Sequence, residues 1–132
     1  ATVIAVDNNL DSLFIIQSLL EDDLNIRAYR QATSAQELFK LLRQSPDLAV
    51  DLLLLDIQFP HDHGFEIIKQ LRAEERFRNL KVVAVTSYVM PQEVEKARQA
   101  GFDGFIGKPL HQTRFPKQIR RLLAGEQVWE AQ

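Results

Sequence analysis

The sequence predicts an α/β fold: a doubly wound parallel sheet with helices on both faces. Three observations predict it. Five short apolar runs alternate strictly with segments of helical periodicity, the pattern of repeated βαβ units. The central run, Leu52-Leu53-Leu54-Leu55, is apolar at every position, as a strand buried on both faces must be. Polar residues follow four of the runs directly, and open α/β sheets bind their ligands at the carboxyl ends of their strands.

Each element has its own signal. Val3-Ile4-Ala5-Val6 reads as the first strand. Leu13, Ile16, Leu19 and Leu20 recur at helical spacing, which predicts a helix over residues 10–22. Residues 26–32 interleave Arg27 and Tyr29 with apolar positions and suit an edge strand. Ser34-Ala35-Gln36-Glu37 is a capping-box pattern opening a second helix, with Leu38, Leu41 and Leu42 inward and Pro46 as its stop. After the Leu52–Leu55 strand, Gly64 precedes a helix carrying Phe65, Ile68 and Leu71. Val82-Val83-Ala84-Val85 is the fourth strand. Pro91 suits an early helical position, Val94, Ala97 and Ala100 line one face, and Gly101 closes that helix. Phe105-Ile106 marks a short fifth strand. Ile119, Leu122 and Leu123 define the last helix, which begins near Thr113 with Pro116 in its first turn. The expected domain spans residues 1–124, followed by a short tail, residues 125–132, that contains Trp129.

Composition narrows the function. The chain has 132 residues, 45% of them apolar, which suits one domain with a real core. A formal charge of −2 without a basic tract argues against nucleic acid as a partner. The absence of cysteine excludes disulfides, thiol catalysis and Cys-ligated zinc. No apolar stretch is long enough to cross a bilayer and no signal pattern opens the chain, so a cytoplasmic protein without membrane contact is expected.

The polar residues at the strand ends are Asp7 and Asn8 after the first, Asp56 after the third, Thr86 and Ser87 after the fourth, and Lys108 after the fifth. Two carboxylates suit a hard, oxygen-seeking cation such as Mg²⁺. A hydroxyl and an ammonium suit the oxygens of a phosphoryl group. Asp56, central and flanked by apolar residues, is the natural nucleophile.

On these residues the chain resembles the receiver domain of two-component response regulators, of the single-domain, chemotaxis-regulator-like kind. The resemblance is carried by VIAVDNN (residues 3–9), DLLLLDIQFPHDHG (51–64), VVAVTS (82–87) and AGFDGFIGKP (100–109). It implies a flavodoxin-like, five-stranded sheet of order 2-1-3-4-5 with five helices. It also implies that Asp56 accepts a phosphoryl group from a phosphohistidine on a sensor histidine kinase or phosphotransfer protein. Asp7, Asp56 and the backbone carbonyl of Gln58 would hold Mg²⁺. Thr86 and Lys108 would bind the phosphoryl oxygens, with Ser87 beside them. Phe105 would be the aromatic switch residue that turns inward, and Pro109 would follow a cis bond. The output would be a contact with a downstream protein, and a homodimer would use the fourth helix, fifth strand and fifth helix.

Two positions depart from the family pattern. Asn8 stands where a second acidic residue is usual, and its amide would bind the metal weakly or through water. Losing one charge there costs on the order of a few kcal/mol at an effective dielectric of about 20, or about one to two decades of affinity. Phe105 stands where tyrosine is common, so any signal there rests on packing. Tyr88 and the Gln58 side chain are expected at the site entrance, and His61-Asp62-His63 lacks an evident third strong ligand for a transition metal. The sequence ends soon after Leu123, so both a stand-alone receiver without an output domain and a receiver cut from a longer regulator or hybrid kinase are expected readings. Competing readings are a pseudo-receiver that works by contacts alone, motivated by Asn8, and a haloacid-dehalogenase-like phosphatase. The phosphatase usually needs a second aspartate two residues after the nucleophile, where this chain has Gln58.

Overall fold

A computed structural model describes residues 1–58, 64–87 and 89–130 of the chain. The elements alternate as the sequence predicts: β1 (Thr2–Val6), α1 (Leu10–Leu24), β2 (Ala28–Ala32), α2 (Ala35–Gln44), β3 (Leu52–Leu55), α3 (Gly64–Ala73), β4 (Val82–Thr86), α4 (Pro91–Ala100), β5 (Gly104–Gly107), α5 (Arg114–Leu123) and β6 (Val128–Glu130). A 3-10 turn, Glu75–Phe77, lies between α3 and β4. All paired strands are parallel, in the order β2-β1-β3-β4-β5-β6.

The period of two along each central strand divides the core into two layers. Ile4, Val6, Leu53, Leu55, Val82 and Ala84 face a layer completed by α2, α3 and α4 through Leu38, Leu42, Ile67, Ile68, Leu71 and Ala97. Val3, Ala5, Leu52, Leu54, Val83 and Val85 face the opposite layer, completed by α1 and α5 through Leu13, Ile16, Leu20, Phe115, Ile119 and Leu122. Every leucine of β3 is therefore buried, two on each side. Each contributes about 1.5–3 kcal/mol, so β3 can carry a costly residue at its end.

The helix ends explain most boundary shifts. Asn25 sits in the left-handed region at φ 56°, and Ile26 N–H returns to the Leu20 carbonyl at 2.9 Å. This closure carries α1 to Leu24, two residues past the predicted end, and delays β2 to Ala28. The capping box of α2 forms with a one-residue reach. Ser34 Oγ accepts from Glu37 N–H at 3.1 Å, and Glu37 Oε1 accepts from Thr33 N–H at 2.7 Å. Gly101, at φ 101°, closes α4 as expected.

The expected five-stranded sheet needs one correction. The segment read as a tail supplies a sixth strand, in parallel register Gly104↔Val128, Phe105↔Trp129 and Ile106↔Glu130. Gly104 permits the pairing, because a Cβ there would lie 2.7 Å from the Val128 carbonyl. Val128 is fully buried, so the domain continues past residue 124. β5 is thereby paired on both edges, which fits its burial at all four positions.

Candidate functional site

The carboxyl ends of β1, β3, β4 and β5 converge as predicted. Backbone pairing sets their level. Asp56 N–H donates to the Val6 carbonyl at 3.0 Å, and Lys108 N–H donates to the Thr86 carbonyl at 2.8 Å. Asp7 and Asp56 are both buried, and the Lys108 ammonium bridges them. Its Nζ lies 2.6 Å from Asp7 Oδ2 and 3.3 Å from Asp56 Oδ2. The second carboxylate oxygens take backbone donors. Asp7 Oδ1 accepts from Asn9 N–H and Asp56 Oδ1 from Gln58 N–H, each at 2.9 Å.

This balance is uneven. With all three groups ionised, two negative charges face one positive charge. Burial pushes the Asp56 carboxyl above its ordinary value, and Asp7 adds to that push; Lys108 and the Gln58 N–H oppose it without winning. Such a site gains from a further cation. Among the described residues no three His, Cys, Asp or Glu side chains come together. Asp7 and Asp56 thus offer two carboxylates as hard oxygen donors. That suits Mg²⁺, which keeps several waters, better than a transition metal.

Thr86 is buried, and its hydroxyl donates to Gln58 Oε1 at 2.8 Å. Exposed Ser87 donates to the same oxygen at 2.8 Å. The exposed Gln58 side chain therefore turns toward the end of β4. Phe105 is already fully buried. The ring shares a layer with Ala84, Ala97 and Phe102. Lys108–Pro109 is a cis peptide bond, as the resemblance implied. Asn8 is exposed. Tyr88 and His61-Asp62-His63 lie outside the described residues.

Two residues of the site carried no role in the sequence reading. Asn9 caps α1, accepting from Asp11 N–H at 2.9 Å and Ser12 N–H at 3.1 Å, and its own N–H fixes Asp7. An Asn directly before a periodic apolar segment is a helix-start signal, so it was findable. Ser12 Oγ receives Lys108 Nζ at 3.3 Å, across 96 residues of sequence. No local pattern announces that contact.

The comparisons agree with this geometry. The response regulator receiver domain model matches residues 3–120. The chain belongs to this family. It is 33% identical over 112 residues to the polar-differentiation response regulator DivK of Brucella ovis, covering 78% of this chain and 90% of that protein. Among solved structures, the chemotaxis response regulator CheY4 of Vibrio cholerae superposes with a TM-score of 0.79 at 21% identity, covering 92% of this chain and 98% of that one. The isolated receiver domain of RcsB from Salmonella enterica serovar Typhimurium, solved with the phosphomimetic BeF3−, gives 0.77 at 23% identity, covering 98% and 94%. The chain is thus a receiver module of two-component signalling, and the phosphatase reading is set aside.

Beside the carboxylates of this receiver, a surface pocket of about 370 Å³ is lined by Ser12, Ile15, Ser87, Lys108, Pro109 and Leu110. Leu10, Phe14 and Ile15 of α1 are exposed, and Ile15 lines the pocket itself. No helix among the described residues is long and apolar enough to cross a membrane.

Proposed function

We propose that Asp56 is the phosphoacceptor of a cytoplasmic signalling relay. The observation that carries this is the shared lysine: a buried carboxylate raised above its ordinary pKa, 3.3 Å from an ammonium that also holds Asp7. Asp7, Asp56 and the Gln58 carbonyl would hold Mg²⁺, with Asn8 reaching it through water. The ion supplies the positive charge that two carboxylates and an incoming phosphoryl group require.

The donor is a phosphohistidine on a sensor kinase or phosphotransfer protein. An Asp56 oxygen forms a bond to phosphorus as the P–N bond breaks, and the histidine leaves with that electron pair. Lys108 stays beside the phosphoryl oxygens. Thr86 trades its bond to Gln58 for one to the phosphoryl group, and Ser87 stands next to it. The exposed apolar residues of α1 and the neighbouring pocket suit the docking of such a donor. The module performs no turnover beyond slow loss of its own phosphoryl group. Its output is a change in the face formed by α4, β5 and α5, read by a downstream protein. A symmetric dimer through that face would have to accommodate β6.

Incubation with acetyl phosphate and Mg²⁺, followed by intact mass, tests the proposal. The wild-type chain should gain one phosphoryl group and Asp56→Asn none. A chain that stays unmodified while folded would support the pseudo-receiver reading, which the exposed amide of Asn8 favours.

A further inference from the structure

β6 is three residues long, yet three elements reach out to hold it. Arg98 of α4 stacks over the Trp129 ring at 4.2 Å. From α5, Gln118 Nε2 and Arg121 Nη1 each donate to the Glu130 carboxylate at 2.7 Å. β5 supplies the backbone pairing. Gln118 is buried, so its amide would lose a partner if β6 left, and leaving a buried donor unsatisfied is costly. Val128 is sealed in one core layer, while Trp129 packs on the other.

That second layer contains Phe105. Paired residues of a parallel ladder point to the same face, and Trp129 is the register partner of Phe105. On its other side Phe105 is the partner of Ala84, two residues before Thr86. Asp56 is thus tied through Lys108 to Thr86 at the end of β4, and β4 carries Ala84, the register partner of Phe105, which in turn pairs with Trp129. Where the Phe105 ring lies decides what Trp129 can pack against.

We infer that β6 is a C-terminal latch that holds Phe105 buried, so that docking of β6 and modification of Asp56 stabilise one another. The inference rests on the phosphoacceptor reading. The resemblance to receivers implies that Phe105 turns inward as Thr86 moves to the phosphoryl group, and the docked strand favours the same inward arrangement. Two events that prefer one state cooperate, and the coupling is equal in both directions. The latch acts at the face assigned to output, and its charged contacts are made within the chain: Arg121 also lies 3.7 Å from Glu126.

The test measures both directions of the coupling. Beryllofluoride with Mg²⁺ is titrated calorimetrically into the wild-type chain, Trp129→Ala and Glu130→Ala. Both variants should bind at least about 5-fold more weakly, the lower end of ordinary allosteric coupling. Hydrogen exchange of residues 128–130 in the wild-type chain should slow when beryllofluoride saturates the site. Equal affinity in all three chains, or unchanged exchange at saturation, overturns the latch and leaves the phosphoacceptor reading intact. No binding to the wild-type chain overturns that reading, and the latch falls with it.

Discussion

Two carboxylates close two strands of the same sheet: Asp56 behind β3 and Glu130 at the end of β6. Each faces a basic side chain, Lys108 at 3.3 Å and Arg121 at 2.7 Å. Their proton affinities nevertheless move in opposite directions. Burial raises Asp56 against its lysine, and Asp7 adds to the rise. Hydrogen bonds from Gln118 and Arg121 lower Glu130 against a smaller burial effect. The difference teaches how to separate a working group from a fastening. Asp56 shares its cation with a rival carboxylate and is left short of positive charge, a state that favours ligands. Glu130 receives two donors for itself, and its charge is welcome. A perturbed carboxylate at a cleft is a pointer to function only when desolvation has outweighed its partners.

Replacing each acid by its amide tests the contrast most directly. Asp56→Asn should abolish the phosphoryl mass gain altogether. It should also raise Tm at neutral pH, from relief of a carboxyl that burial raises. A lower Tm in Asp56→Asn would mean that Lys108 already satisfies the carboxylate, and the argument from charge shortage would fail. Next in size is Asn8→Asp, which adds a third acid to the starved site. Mg²⁺ affinity, read by titration calorimetry, should tighten about 10- to 100-fold at an effective dielectric of about 20, while the metal-free protein loses stability. Unchanged affinity would remove Asn8 from the metal shell.

Much of this site was legible because βαβ order forces every strand to end on one side. Asp7, Asp56, Thr86 and Lys108 were located by counting strands, without any contact information. The core layers followed from the period of two in β1, β3 and β4. The failures are tertiary. β6 escaped because Val128-Trp129-Glu130 is too short to show alternation, and its cause is the bare Cα of Gly104 across the sheet. Nothing local says that the Gln58 amide oxygen collects the Thr86 and Ser87 hydroxyls. The burial of Phe105 likewise has no local signal, because it depends on the layer around the ring and on the strand beside it.

Titration should give the two amides opposite signatures. Asp56 has a raised folded value, so its ionised form weakens the fold. The gain from Asp56→Asn should therefore be absent below the ordinary aspartate range and grow as pH rises through the raised value. Urea midpoints of the pair measured across pH 3 to 8 check this, and a gain that shrinks with rising pH would reverse the assignment.

Glu130→Gln is the smallest effect and the finest control. Glu130 is lowered on folding, so its contribution is present above the ordinary glutamate range and lost as pH falls through its lowered folded value. The amide keeps an acceptor for Gln118 but gives up the charge that Arg121 reads. The loss at neutral pH should be about 0.5–1 kcal/mol, the range of a partly exposed ion pair. It should vanish in acid, where both chains carry a neutral group. Trp129 is the only tryptophan in the chain, so its fluorescence reports β6 directly. In the wild type that signal should change toward the exposed-indole spectrum as acid protonates Glu130, before the far-ultraviolet circular dichroism falls. Coincident changes in both signals would show that β6 has no separate opening and that Glu130 fastens the whole domain.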